Sequence, residues 1–224
     1  MLWQVTLDLI KGFGQNIIIF FVTLIVALPF GMIVTFGEMS KISPIRLLCK
    51  TIVWIIRGTP LLLQLFLVYY VPGLVFGVPF TLTFWNIEPQ MIAALIAFSI
   101  NYAMYFAEIY RGALENIPKG QYEAGKVLGL SKRQVFFHVI LFQVVKRITA
   151  PIGNEVITLV KDTAMARVIG IQDMSMQAMR YTTQGYIWPL YYSIVFYLAW
   201  TAIVTVAFAY FERRVKRAVG EEPV

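Results

Sequence analysis

The chain has 224 residues, of which 59% are hydrophobic and only 14% are charged, and its mean hydropathy is +0.72. These values exclude an ordinary soluble domain and favour an integral membrane protein, because a bilayer accepts long apolar segments directly. The formal net charge of +7 does not indicate nucleic-acid binding, since the basic residues cluster at the ends of apolar segments. The single cysteine, Cys49, excludes an internal disulfide framework and provides no metal cluster.

Five apolar segments predict an all-α protein with about five transmembrane helices in a single domain over residues 1–224. The residues before the first segment carry Asp8 and Lys11, so we expect them to lie at the membrane interface and not to form a signal peptide. Pro60 is expected to break the second segment near Arg57. A helix needs roughly 20 apolar residues to cross the hydrocarbon, and the predicted spans are about residues 16–36, 47–71, 89–110, 135–160 and 186–211.

Basic residues predict the orientation of the chain in the cell membrane. The first loop is marked as cytoplasmic by three of them, Lys41, Arg46 and Lys50. Residues 72–87, the second loop, contain neither Lys nor Arg. The positive-inside rule therefore places the N-terminus outside and the C-terminus in the cytoplasm of a multi-pass protein. Arg167 and Arg180 fall in a loop assigned to the outside, where they either contact an external partner or are simply solvated.

The third loop, residues 117–134, is polar but organised. Pro118 suits the first position of a helix and Gly129 suits its C-terminal cap about three turns later. Ser131 and Gln134 then have the spacing of a capping box for the next helix. The loop is predicted to be a short exposed helix held between two spans, which indicates that something outside the bilayer binds it.

The fourth apolar segment is interrupted by charge. At about 100° per residue, five polar residues fall within an arc of roughly 120°, and they are Asn154, Glu155, Thr158, Lys161 and Asp162. Intramembrane charges are costly unless they face the bundle interior or a watered cavity, so we predict that this face binds substrate. The alternative is a structural salt bridge of Lys161 with Glu155 or Asp162.

The third loop also resembles a known motif. Glu123, Ala124 and Gly125 are followed by Gly129 and then by Val139, Leu141 and Phe142. This pattern is similar to the EAA motif of bacterial ABC importer permeases, which reads Glu-Ala-Ala, three residues, Gly, nine residues, then Ile-x-Leu-Pro. Here Gly replaces the third motif residue, Val replaces the Ile and Phe replaces the Pro.

Three longer segments extend the resemblance to most of the chain. They are RGTPLLLQLFLVYY from Arg57, AEIYRGALENIPKGQYEAGKVLGLS from Ala107 and GNEVITLVKDT from Gly153. All three are similar to the polar amino-acid permeases, which serve histidine, glutamine, arginine and related substrates. Three motifs in the right order make a stronger signal than any one of them.

The resemblance implies a fold, a set of partners and a role. The fold is that of an ABC importer type I permease with a cytoplasmic coupling helix between the third and fourth spans. Two permeases form a pair, in which the second is either another copy of this chain or a sister permease. Each permease binds a cytoplasmic ATP-binding subunit, and an external amino-acid-binding protein delivers the substrate. The residues carried over to the coupling segment are Gly120, Glu123, Ala124, Gly125 and Gly129.

The implied function is ATP-driven import of a polar amino acid, with arginine, lysine, histidine and glutamine as candidates. Two carboxylates against one lysine on the polar face favour a basic one. The chain itself is expected to be a non-catalytic pore subunit without cofactor or metal. Residues 120–126 approach the phosphate-loop pattern, but Val127 stands where a Ser or Thr must hold Mg²⁺. ATP and Mg²⁺ are therefore expected on the partner ATPase.

A transporter or channel driven by an ion gradient is the alternative. It would use the carboxylates of Glu155 and Asp162 as proton or sodium sites. An intramembrane enzyme is disfavoured, because the sequence contains no HExxH motif and no Ser/His pairing.

Overall fold

The computed structural model describes residues 2–83 and 87–218, and the elements within these ranges are helices. The α-helices are α1 (Leu2–Glu38), α2 (Ser43–Arg57), α3 (Leu61–Phe76), α4 (Pro89–Glu115), α5 (Lys119–Val127), α6 (Lys132–Val135), α7 (Leu141–Asp162), α8 (Met174–Thr182) and α9 (Trp188–Ala218). A π-helical turn, Phe136–Ile140, joins α6 to α7, and a 3₁₀ segment, Thr163–Ile169, follows α7.

Four stretches of the described residues are long and apolar enough to cross a membrane, namely Leu2–Glu38, Pro89–Glu115, Lys132–Ile169 and Trp188–Arg217. The pair α2 and α3 passes the same test together but is bent by 103° at its break. The structure thus has four candidate spans, or five if the bent pair counts as one, which confirms the predicted fold class.

The first helix is longer than the sequence pattern suggested. The segment expected at the interface and the predicted span from residue 16 form one helix of 37 residues, about 55 Å long. The helix runs through Pro29 and packs along α4 at close range. A Cβ atom at Gly31 would lie 2.8 Å from the Ala103 carbonyl oxygen, and the Thr35 hydroxyl donates a hydrogen bond to the Ala107 carbonyl at 3.0 Å. Small residues at the contact let the two backbones approach.

Helix α4 is the centre of the bundle. Its largest buried side chains are Phe98, Tyr102 and Phe106, each at most 2% exposed. They pack with buried residues of α1, α3 and α7, such as Ile19, Leu65 and Leu159. A cavity between α3 and α7 is therefore bounded by α4.

The predicted break in the second span lies where Pro60 places it. α2 ends at Arg57 and α3 begins at Leu61, because proline cannot continue the hydrogen-bond ladder. The break leaves carbonyl groups without a partner in either helix, and these need other hydrogen-bond donors. The Gln64 amide donates to the Ile56 carbonyl at 2.8 Å, and the Thr59 hydroxyl donates to the Ile55 carbonyl at 3.0 Å.

The short helix α8 is fixed to α1 by buried polar groups. Asp173, which is fully buried, caps α8 by accepting a hydrogen bond from the Met176 amide at 2.9 Å. The Asn16 side chain donates to the Thr163 hydroxyl at 3.2 Å and accepts from the Met174 amide at 3.2 Å. A Cβ at Gly12 would lie 2.7 Å from the Asp173 carbonyl carbon, so glycine is required for this packing.

Candidate functional site

A cavity of about 280 Å³ lies between the break in the second span, α4 and α7. One wall is the break itself, whose irregular backbone lines the cavity through Thr59 and Pro60. The other walls are the middle of α4 and the last three turns of α7. The lining residues are Thr59, Pro60, Leu61, Leu62, Asn101, Tyr102, Tyr105, Glu155, Thr158, Asp162 and Met165.

Two carboxylates face this cavity from α7. Asp162 accepts a hydrogen bond from the Tyr102 hydroxyl at 2.8 Å. Glu155 stands two turns earlier on the same face, and within residues 2–83 and 87–218 it has neither a hydrogen bond nor a salt bridge. A half-buried carboxylate without a partner is costly inside a membrane protein. The arrangement therefore suits a bound cationic group.

The structure separates the five predicted substrate-binding residues into two groups. Glu155, Thr158 and Asp162 line the cavity, although the Thr158 hydroxyl is engaged with the carbonyl of Asn154 at 2.9 Å. Asn154 and Lys161 are exposed on α7 and do not belong to the lining. Among the described residues Lys161 forms no salt bridge with Glu155 or Asp162, so the structural pairing that was the alternative is absent there.

The wall on α4 was missed by the sequence reasoning. Asn101 and Tyr102 are almost fully buried, at 4% and 2% exposed. Asn101 donates to the Gln64 side chain at 3.0 Å, which ties the wall on α4 to the break. A polar Asn-Tyr pair in the middle of an apolar span was the available signal, because intramembrane polar groups mark functional sites.

A chain of charges continues from the cavity toward the end of α4. The Arg57 guanidinium lies 5.3 Å from the centre of the Tyr105 ring and forms a salt bridge with Glu108 at 3.4 Å. Glu108 also pairs with Arg111, three residues further along α4. The contacts of Arg57 are with α4, whereas Thr59 and Gln64 donate hydrogen bonds to the carbonyl groups of the break.

The coupling segment has the helix that the sequence predicted. Its start differs slightly, since Pro118 is the N-cap of α5 and not its first helical residue. Gly129 has a φ of 71° and follows the C-cap residue. The Leu130 amide bonds to the Gly125 carbonyl and the Gly129 amide to the Lys126 carbonyl, both at 3.0 Å, which is the Schellman arrangement.

The capping box predicted at Ser131 is present. The Ser131 hydroxyl accepts from the Gln134 amide at 3.3 Å, and the Gln134 side chain accepts from the Ser131 amide at 2.9 Å. Since both ends of the connection are hydrogen-bonded, α5 is joined to the fourth span with little slack.

The five residues predicted to belong to the coupling segment do not have equal surroundings. Gly120, Glu123, Ala124 and Gly129 are exposed, whereas Gly125 is buried. A Cβ at position 125 would lie 2.4 Å from Cγ2 of Val135. Glycine at the third motif position therefore lets α5 pack on the helix that leads into the fourth span. Val127 and Leu128, at the end of α5, are 88% and 75% exposed. They form an apolar tip, and such an exposed apolar patch suits a protein partner.

A polar cavity of about 420 Å³ lies at the other end of the molecule, between the start of α1 and α8. Asp8, Gln177, Arg180 and Tyr181 belong to its lining. Tyr181 donates a hydrogen bond to the Asp8 carboxylate at 2.5 Å, and this bond raises the pKa of Tyr181. Of the two arginines predicted outside, Arg180 thus borders this cavity.

The chain is similar in sequence to known transport proteins. A family described as "Binding-protein-dependent transport system inner membrane component" matches residues 10–217. The arginine transport system permease protein ArtQ of Bacillus subtilis (strain 168) is 33% identical over 210 residues, which cover 93% of this chain and 92% of ArtQ. The L-cystine transport system permease protein TcyB of the same organism is 37% identical over 159 residues, 69% of this chain and 64% of TcyB.

The fold is shared with a solved transporter. The structure described as "Crystal structure of an amino acid ABC transporter with histidines" superposes with a TM-score of 0.83 at 32% sequence identity. The match covers 95% of this chain and 96% of the other.

Proposed function

The chain belongs to the family of binding-protein-dependent transport system inner membrane components and is an amino-acid ABC transporter permease, and we propose that it forms the pathway through which an ATP-driven complex imports a polar, basic amino acid. The observation that carries the proposal is the pair of carboxylates, Glu155 and Asp162, in the cavity beside the helix break.

The substrate contains at least one cationic group. Every amino acid has an α-ammonium group, which one carboxylate would bind, and a second carboxylate favours a basic side chain such as that of arginine, lysine or histidine. The relatives do not select this class, because ArtQ is an arginine permease and TcyB a cystine permease. A cavity of about 280 Å³ is near the lower limit of small-molecule sites, about 300 Å³, so it suits a single amino acid such as glutamine or arginine.

The polar face of α7 extends beyond the cavity, and this supports pairing with a second permease. Asn154 and Lys161 are exposed, as are Pro151 and Met165 on the same face. A lysine facing hydrocarbon is costly, so we propose that a second copy or a sister permease covers this face. The translocation pathway would then run beside α7 at the contact between the two permeases.

The complex needs two further partners. A cytoplasmic ATP-binding subunit would grip α5 through the exposed coupling residues and the apolar tip, and it would supply ATP and Mg²⁺, since this chain is the pore subunit. An external amino-acid-binding protein would dock at the end that carries α8. This arrangement requires the N-terminus outside and the C-terminus in the cytoplasm, as the basic loops predict.

Glu155→Gln in the reconstituted complex tests the proposal. The exchange removes one charge with little change of shape, so we expect the KM for a basic amino acid to rise about tenfold or more, because a charge-assisted hydrogen bond contributes about 1.5–3 kcal/mol. Glu88→Gln is the matched control, since Glu88 is exposed and its side chain caps nothing. Unchanged uptake by an assembled Glu155→Gln complex would remove Glu155 from the site.

A further inference from the structure

Helix α2 is not placed like the first half of a membrane-spanning helix. It is bent by 103° from α3, so the two helices cannot both follow the membrane normal. Helix α3, Leu61–Phe76, contains no charged residue, whereas α2 contains Arg46, Lys50 and Arg57. Because charge is costly in hydrocarbon, α3 is the helix that enters the bilayer and α2 lies across it.

The contacts of α2 agree with this placement. Near its middle, Cys49 packs against Gly37 at the end of α1, where a Cβ would lie 2.4 Å from the sulfur. At its C-terminus, Arg57 pairs with Glu108. Residues 49–57 rise about 12 Å along the helix. The two contact points lie at similar levels of α4. Arg57 pairs with Glu108, and the end of α1, which contacts Cys49, lies beside Arg111, three residues further on, because Glu38 is 3.9 Å from Arg111. Helix α2 therefore crosses the ends of α1 and α4 nearly at one depth.

The faces of α2 are divided as in a helix that lies on a membrane. One narrow side faces the protein through Cys49, Val53 and Ile56. Six large apolar side chains are exposed by 41% to 75%, and they are Ile45, Leu47, Leu48, Ile52, Trp54 and Ile55. Arg46 and Lys50 are also exposed and stand about 40° apart on the helix, at the edge of the apolar set that Trp54 forms, about 40° from Lys50. Lys41, just before the helix, is exposed as well.

We propose that α2 is a membrane-surface helix and that its basic edge, Lys41, Arg46 and Lys50, binds the headgroups of anionic phospholipids. The apolar set lies among the acyl chains, and the basic edge meets the phosphates of the leaflet from which α5 projects. Opposite charge and an amphipathic helix are the two requirements for such binding. This site is separate from the substrate cavity and extends the proposed function.

The lipid site has a physical connection to the cavity. Helix α2 leads without a gap into the break, and both Thr59 and Pro60 line the cavity. Arg57, the last residue of α2, lies over the ring of Tyr105, which is also in the lining. Lipid that holds α2 at the surface therefore holds this wall in place, and transport should depend on anionic lipid.

Phosphatidylglycerol binding tests the ligand. The assembled complex is placed in phosphatidylcholine vesicles with increasing phosphatidylglycerol, and energy transfer from the tryptophans to a labelled phosphatidylglycerol is measured beside uptake. The triple variant Lys41→Gln, Arg46→Gln and Lys50→Gln should lose roughly fivefold in lipid affinity for each charge and should need more phosphatidylglycerol for the same uptake. The control has the same loss of charge at the end of α9, in Arg213→Gln, Arg214→Gln and Arg217→Gln.

Two results overturn the lipid site. The first is equal loss in the control variant, which would mean general attraction to a charged membrane. The second is a wild-type complex whose uptake in pure phosphatidylcholine equals its uptake with added phosphatidylglycerol, and whose energy transfer to the labelled lipid stays weak.

Spin labels test the placement independently of the lipid. Cysteines replace Leu48 and Ile55, both exposed and on the same face of the helix, one at a time in a Cys49→Ser chain, and the depth of each label is measured by collision with oxygen and a nickel chelate. A helix along the normal places the two labels about 10 Å apart in depth. A surface helix places them at nearly the same depth, and a difference above about 7 Å contradicts the proposal.

Discussion

Gly125→Ala is expected to loosen the coupling helix although it restores the alanine that the EAA motif has at this position. The added methyl group would lie 2.4 Å from Cγ2 of Val135, where ordinary contact begins at 3.4 Å. Val135 is 3% exposed and packs among Ile117, Ile140 and Val144. Valine has few rotamers in a helix, so one of the two helices must move by about 1 Å.

The expected cost follows from overpacking. Extra methyl groups in a packed core destabilise by about 1–3 kcal/mol. A loss of about 2 kcal/mol weakens the docking of α5 about thirtyfold. The cost is concentrated on the contact between α5 and the start of the fourth span, because the three nearest atoms outside α5 all belong to Val135.

Hydrogen exchange of the assembled complex measures this loss. Amides of residues 119–135 should exchange faster in Gly125→Ala, whereas those of α8, far from the change, should not, and ATP-driven uptake should fall. Val135→Ala in the same chain makes room for the methyl group and should recover part of both signals. If Gly125→Ala exchanges and transports like the wild type, or if Val135→Ala brings no recovery, the packing argument is wrong.

Three further changes have defined outcomes. Tyr102→Phe removes the hydrogen bond to Asp162, so substrate KM should change by about tenfold while complex assembly, measured by gel filtration, stays the same; an unaltered KM would exclude this bond from the site. Gln64→Leu leaves the buried Asn101 amide without its acceptor and the Thr59 carbonyl without its side-chain donor, at about 1–3 kcal/mol for a buried group, so the complex should lose activity at a lower temperature, and an unchanged inactivation temperature would contradict this. Glu123→Arg reverses an exposed charge on α5 and should uncouple ATP hydrolysis from uptake; wild-type coupling would count against the role of α5.

Local features of the fold could be predicted from the sequence because their causes are local. Pro60 has no amide hydrogen wherever it stands, so it breaks the second span, and the Ser131 capping box needs only the spacing to Gln134. The extent of α1 could not be predicted in this way. Asp8 and Lys11 suggested an interface segment, but the partners that keep this segment helical, such as Asp173 and Met174 beside Gly12, lie far away in the sequence.

The candidate site was predicted on one side only. Helical periodicity brought Glu155, Thr158 and Asp162 onto one face, which depends on a single helix. The opposite wall depends on which face of α4 meets α7, and no periodicity within one helix contains that information. Tyr102 is an ordinary aromatic residue of a span until its hydroxyl is found 2.8 Å from Asp162. Likewise, the need for glycine at position 125 follows only from the close contact with Val135, which the sequence does not reveal.

The central claim is that a separate ATPase drives an amino acid past Glu155 and Asp162 through this chain. The most direct test is uptake of labelled arginine into vesicles that contain this permease, with its ATP-binding subunit and binding protein either present or omitted. The account predicts uptake only with both partners and ATP, and its loss in an assembled double variant Glu155→Gln and Asp162→Asn. Uptake by the permease alone under a proton or sodium gradient would contradict it.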